Sequence, residues 1–117
     1  FSETYFLKKI KGEVSGITFS TQHRPILLLF GDSITQYATK ADPLGWGTLL
    51  ADEYTSMYRS ADILNRGLSG YNTRWASLIL PQMLEELAGQ AGRVALVTVL
   101  FGANDAVVPS SRQHVPL

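Results

Sequence analysis

Apolar positions along this chain follow two alternating patterns, and the alternation predicts the fold class. Ile26-Leu27-Leu28-Leu29-Phe30 is an unbroken apolar run that stops at Gly31-Asp32-Ser33. Short runs of this kind, bounded by turn residues, suit strands buried on both faces, as in parallel sheets. Between Trp46 and Arg59 the period changes. Trp46, Leu49, Leu50, Tyr54, Met57 and Tyr58 recur at three- and four-residue spacing around Asp52 and Glu53, which predicts an amphipathic helix. Ala61-Asp62-Ile63-Leu64-Asn65 reads as a second, shorter strand, and Gly67-Leu68-Ser69-Gly70 as a turn with two permissive glycines. A second helix follows, capped by Asn72 or Thr73 and running through Trp75, Leu78, Ile79, Met83, Leu84 and Leu87. Pro81 inside it predicts a kink or a break, and Gly89 and Gly92 end it. Arg93–Phe101, rich in β-branched residues, is the third strand.

The order is strand, helix, strand, helix, strand. Helical crossovers of this length join parallel strands and do so right-handed. The expected class is α/β, with a parallel sheet between helices. Residues 1–23 lack a clean period. Tyr5-Phe6-Leu7-Lys8-Lys9-Ile10-Lys11 mixes apolar and basic residues, and Glu3 and Glu13 argue against a targeting peptide. That stretch is expected to be an extension or short hairpin on a domain formed by residues 24–117.

Composition narrows the function classes. At 117 residues the chain holds one small domain. With 45% hydrophobic and 17% charged residues it is not of disordered type. Ten Lys and Arg balance ten Asp and Glu, so little electrostatic drive exists toward nucleic acid or acidic membranes. The longest apolar runs, Pro25–Phe30 and Val94–Phe101, fall far short of the roughly 20 residues that span a bilayer. Without cysteine there is neither a disulfide framework nor a thiolate zinc site, and two separated histidines make no ligand cluster. The expected partner is a small molecule, with neither nucleic acid nor membrane, and the cytoplasm is the default compartment.

In open parallel sheets, ligands bind beyond the carboxyl ends of the strands. The residues there are Gly31-Asp32-Ser33, Arg66-Gly67-Leu68-Ser69-Gly70 and Gly102-Ala103-Asn104-Asp105. Each cluster joins glycine to a small polar group. Acyl transfer needs an oxygen nucleophile, a base, and donors aimed at the developing oxyanion. Ser33 is the candidate nucleophile, with its own N–H available. The Gly70 N–H and the Asn104 side-chain amide are candidate oxyanion donors. Asp32 and Asp105 are expected to hold turns through backbone N–H groups. Taken singly, Ser33 also fits a plain helix N-cap, Gly70 a turn glycine, and Asn104-Asp105 a turn or cap. Trp46, Tyr71 and Trp75 fit either a pocket lining or the core.

Three blocks then match a known pattern. Gly31-Asp32-Ser33-Ile34-Thr35-Gln36 resembles the first block of the GDSL, or SGNH, hydrolases. Asn65 to Thr73 is similar to the second block, with its oxyanion glycine at Gly70, and Gly102-Ala103-Asn104-Asp105 to the third, with its donor asparagine at Asn104. Gly45-Trp46-Gly47, Asn72-Thr73-Arg74-Trp75 and Gln113-His114-Val115-Pro116-Leu117 resemble the isoamyl acetate-hydrolysing branch. The resemblance covers residues 24–117. It implies a flavodoxin-like α/β/α sandwich and hydrolysis of short-chain or acetyl esters by Ser33, without a cofactor and without a metal.

The resemblance also implies a histidine base oriented by an aspartate three residues before it. This chain has only His23 and His114. His23 precedes the first strand, at the sheet edge opposite Ser33. His114 follows Ser111 at the same spacing, not an aspartate, and reads as a loop or helix-start residue near the substrate and not as the base. The expectation is therefore an N-terminal portion of a serine esterase, inactive alone, with its third strand open to self-association. Two other readings compete: a catalytically dead binding module of the same fold, and a flavin or nucleotide binder. The latter lacks both a Gly-x-Gly-x-x-Gly and a Walker sequence.

Overall fold

A computed structural model describes residues 13–14, 17–18, 24–56 and 61–117. Near the amino end, β1 (Glu13–Val14) and β2 (Ile17–Thr18) pair antiparallel. His23 lies outside the described residues.

The apolar run becomes β3 (Ile26–Gly31), and all six of its residues are buried. It is the middle strand of a parallel sheet, flanked by β4 (Asp62–Gly67) and β5 (Val94–Leu100) in the order β4-β3-β5. A central strand alternates its side chains between two faces, so both faces need cover. Leu28 and Phe30 pack on Ala76, Met83 and Leu87 of α3 (Thr73–Leu87). Phe30 also meets Phe101 edge-to-face, with ring centroids 4.9 Å apart. Leu27 and Leu29, pointing the other way, are 3% and 0% exposed. The chain steps from β3 out to β4 through α2 (Trp46–Ser56), then back across β3 to β5 through α3. Right-handed crossovers in opposite directions place α2 and α3 on opposite faces of the sheet. The architecture is the flavodoxin-like α/β class expected from the sequence.

Several boundaries differ from expectation. β4 continues two residues past Asn65, because Arg66 and Gly67 pair with Phe30 and Gly31. β5 is one residue shorter at each end than Arg93–Phe101. α2 is helical from Trp46 to Ser56, and residues 57–60 lie outside the described residues. α3 neither stops nor breaks at Pro81. That residue is exposed, so its ring faces solvent, and the loss is confined to the one N–H it lacks. Leu78 and Leu84, counted in the apolar stripe, point outward, because the sheet receives only the face carrying Ala76, Leu80, Met83 and Leu87.

At the amino end of the sheet, Arg93 bonds Asp62 at 3.2 Å and the Arg24 carbonyl at 3.1 Å, bracing the starts of all three strands. At the free side, Leu96, Val97, Val99 and Leu100 of β5 are exposed. Among the described residues, no helix is long and apolar enough to cross a membrane.

Candidate active site

Strand register brings the three loops to one edge. Gly31 stands opposite Gly67 on one side and Leu100 on the other. Adjacent strands lie roughly 4.8 Å apart, so these three residues form a short row. Two bonds tie the row just past its end: Asp32 N–H to the Leu100 carbonyl at 3.3 Å, and Leu68 N–H to the Gly31 carbonyl at 2.8 Å. Ser33, Gly70 and Asn104 lie two, three and four residues beyond it.

Ser33 opens a four-residue helix, α1 (Ser33–Gln36). Its N-cap is Asp32, which is 1% exposed and accepts the Ile34 N–H at 2.9 Å. The Ser33 hydroxyl is thereby free of capping, and it has no hydrogen-bond partner among the described residues. Its side chain is half-buried at the sheet edge.

Two glycines let α1 lie this close to the strands. A Cβ on Gly31 would fall 2.1 Å from the Thr35 hydroxyl, and one on Gly67 would fall 2.0 Å from the Gln36 nitrogen. Asn65 secures the contact. Its amide donates to the Thr35 and Gln36 carbonyls at 2.9 and 3.2 Å and to the Thr39 hydroxyl at 3.2 Å. These carbonyls lie at the end of α1, where the helical ladder runs out, and that of Thr35 also accepts from the Tyr37 N–H. The Asn65 side-chain oxygen accepts the Gly67 N–H at 2.8 Å. A polar residue closing an apolar strand was the only sequence signal for this role.

The second loop turns from Leu68 to Tyr71, whose N–H bonds the Leu68 carbonyl at 3.1 Å. Gly70 holds the third position with φ +82°, the conformation that a type II turn requires there. Its N–H is unpaired among the described residues. Its carbonyl accepts from Gln113 Nε2 at 2.7 Å.

In the third loop, Asn104 Nδ2 donates one proton to the Tyr71 carbonyl at 2.8 Å, which leaves the second N–H of the same amide uncommitted. Asp105 serves α3. Both its carboxylate oxygens accept the Thr73 N–H, at 3.2 and 3.1 Å, and the Thr73 hydroxyl donates to Oδ1. The positive end of α3 favours an anion there. Asn72 is the cap of α3, accepting the Trp75 N–H at 2.8 Å.

His114 is anchored within its own loop. Its Nδ1 meets the Val107 carbonyl at 2.7 Å, and since a carbonyl only accepts, Nδ1 carries the proton. Of the three aromatics, Trp46 donates its indole N–H to the Ile34 carbonyl at 3.3 Å, joining α2 to α1. Tyr71 and Trp75 stack edge-to-face at 5.9 Å. Trp75, Ser111, Arg112 and Gln113 line an open cleft of about 400 Å³ beside these loops.

A parallel sheet with a free serine hydroxyl, a positive-φ glycine and a carboxamide at one strand edge defines a class of α/β protein built around strand-end loops. The chain belongs to the GDSL-like lipase/acylhydrolase family, which it matches over residues 29–116. It is 54% identical over 95 residues to the isoamyl acetate-hydrolyzing esterase 1 homolog of Rattus norvegicus, covering 80% of this chain and 36% of that one. Over 97 residues it is 41% identical to the isoamyl acetate-hydrolyzing esterase of Saccharomyces cerevisiae, covering 77% of this chain and 37% of the yeast protein. Among solved structures, AlinE4, an SGNH-hydrolase family esterase, matches with a TM-score of 0.57 at 26% identity, covering 74% of this chain and 44% of AlinE4. The chain thus spans little more than a third of the length of these curated relatives.

Proposed function

We propose that residues 24–117 carry the nucleophile and oxyanion donors of a serine esterase acting on short-chain carboxylic esters, acetyl esters among them. One observation carries this reading. The Ser33 hydroxyl is released from capping by Asp32, and it shares a strand edge with a Gly70 N–H and a second Asn104 amide proton that are both unpaired among the described residues.

In this reaction the Ser33 oxygen attacks the acyl carbon while a base takes its proton. The carbonyl π electrons move onto oxygen, and the Ser33 N–H, Gly70 N–H and Asn104 amide donate to that oxyanion. Collapse expels the alcohol, which takes the proton back from the base and leaves Ser33 acylated. Water then repeats the sequence and releases the acid.

The base comes from outside residues 24–117. His114 makes no hydrogen bond to Ser33 among the described residues, its Nδ1–H meets the Val107 carbonyl where a triad base would meet its aspartate, and Ser111 stands at the orienting spacing. We assign the role to an Asp-x-x-His block elsewhere in the full-length protein, so residues 1–117 alone are inactive. The relatives' greater length supports that assignment. Turnover of p-nitrophenyl acetate tests both parts. The full-length protein should turn over, and Ser33→Ala should lower kcat by roughly 10⁴-fold or more. Full activity in Ser33→Ala refutes the nucleophile. Robust Ser33-dependent turnover by residues 1–117 alone refutes the external base. Ester binding by the full-length protein without hydrolysis would replace the enzyme reading with a binding module.

A further inference from the structure

We propose that Gln36 and Gln113 are a pair of positioning residues that grip the Ser69–Gly70 turn from both sides and aim the Gly70 N–H at the oxyanion. The inference rests on the esterase reading above. Gln36 Oε1 accepts the Ser69 N–H at 2.7 Å, and Gln113 Nε2 donates to the Gly70 carbonyl at 2.7 Å. The peptide group between these two bonded groups is the one that carries the Gly70 N–H. The flanking groups of that peptide are therefore held, and its own N–H is the donor left over.

The amide orientations follow from chemistry. A backbone N–H can meet only the oxygen of a glutamine, and a backbone carbonyl only its nitrogen. The two glutamines thus do opposite jobs, one accepting and one donating. Both are also fixed from behind. Gln36 ends α1, whose carbonyls Asn65 binds, and Gly67 admits its backbone at a distance no side chain would allow. Gln113 is held through its own carbonyl, which accepts from the buried Asn72 at 2.7 Å. A Cβ on Gly70 would lie 3.2 Å from Gln113 Nε2, so the grip fits the turn closely.

Gln36 has a second consequence. It lies three residues after Ser33 in the same helix, on the same side of the turn. The nucleophile and the oxyanion turn are therefore joined through one rigid element. A small shift of α1 carries both together, which keeps the distance between attacking oxygen and donor constant. Gln113 couples the same turn to the segment that follows the third block.

The test uses the full-length protein with four variants: Gln36→Leu, Gln36→Glu, Gln113→Leu and Gln113→Glu. Readouts are p-nitrophenyl acetate kinetics, the position of the Gly70 amide in a ¹⁵N-correlated NMR spectrum, and Tm as a check on folding. Each Leu variant should lose about tenfold in kcat with KM unchanged, as expected for a contact that matters only in the transition state. Glu at 36 keeps the acceptor and should restore kcat. Glu at 113 loses the donor and should not. The Gly70 amide signal should move in both Leu variants. Unchanged kcat and an unmoved Gly70 signal in both Leu variants overturn the proposal. Equal behaviour of the two Glu variants also overturns it, because a merely structural role would not separate acceptor from donor. Full activity in Ser33→Ala is a different failure: it removes the esterase reading, while the Gly70 signal still decides whether the glutamines hold the turn.

Discussion

Asn72 holds Gln113 from inside the protein: its Nδ2 donates to the Gln113 carbonyl at 2.7 Å, although the two residues are 41 positions apart. Its side chain is 2% exposed, and its oxygen caps α3 through the Trp75 N–H. One residue therefore starts a helix and pins the segment beyond the third block. Loss of the cap costs about 1 kcal/mol. Loss of the hydrogen bond to the carbonyl of the half-buried Gln113 costs a further ~1 kcal/mol. Asn72→Ala should lower unfolding stability by about 2 kcal/mol. Asn72→Asp keeps the capping oxygen but sets a buried carboxylate oxygen against the Gln113 carbonyl, so its loss should exceed that of Asn72→Ala. Urea unfolding of both variants checks the order; a smaller loss in Asn72→Asp would contradict it.

Asn104 has two protons on one nitrogen and a separate task proposed for each. The bond to Tyr71 holds the amide, and the second proton, uncommitted among the described residues, is the proposed oxyanion donor. Asn104→Ala should lower kcat by roughly 10²–10³-fold, the usual cost of losing one oxyanion donor. Its effect on stability should stay near 1 kcal/mol, the worth of a single hydrogen bond. Kinetics on p-nitrophenyl acetate together with Tm give both values. A large drop in Tm with little change in kcat would make Asn104 a structural residue only.

Gly67 is a site of close approach. A methyl group there would lie 2.0 Å from the Gln36 nitrogen and 2.3 Å from its Cα, both backbone atoms. Gly67→Ala must push α1 off β4, and should cost on the order of 3 kcal/mol, as overpacking against a rigid neighbour does. Gly89 has nothing within 4 Å of the same position. Gly89→Ala should be neutral or stabilising by up to about 1 kcal/mol, through the unfolded state. Urea unfolding of the two variants side by side checks the contrast.

β5 presents Leu96, Val97, Val99 and Leu100 to solvent, at 45–67% exposure. An exposed apolar strand edge is a template for pairing with a second copy. The 117-residue chain should self-associate with rising concentration, and Val97→Lys should weaken that association. Sedimentation velocity of both forms decides it; a monomer at every concentration would rule the pairing out.

Much of this arrangement was legible in the residues themselves. The five-residue apolar run marked the central strand, and glycine with a small polar group marked each strand end. The same reasoning placed Ser33 on the strand-to-helix turn but left open whether it caps the helix. Asp32 and Ser33 are both good capping types, and only backbone geometry chose Asp32. Likewise Leu78 and Leu84 obey helical spacing and still face solvent, because the sheet covers a limited sector of α3.

The sequence by itself determined the alternation of strands and helices and the three strand-end clusters. Those depend on local periodicity and on turn-forming residues, which are written in short windows. Strand order, the register that aligns Gly31 with Gly67 and Leu100, and the bonds made by Gln36, Asn65, Asn72 and Gln113 belong to the tertiary structure alone. A polar side chain leaves no periodic trace, and its partner is set by which loops the sheet brings together. Gln113 and Gly70 are 43 residues apart in the chain, and only the sheet brings the loops that carry them to one edge.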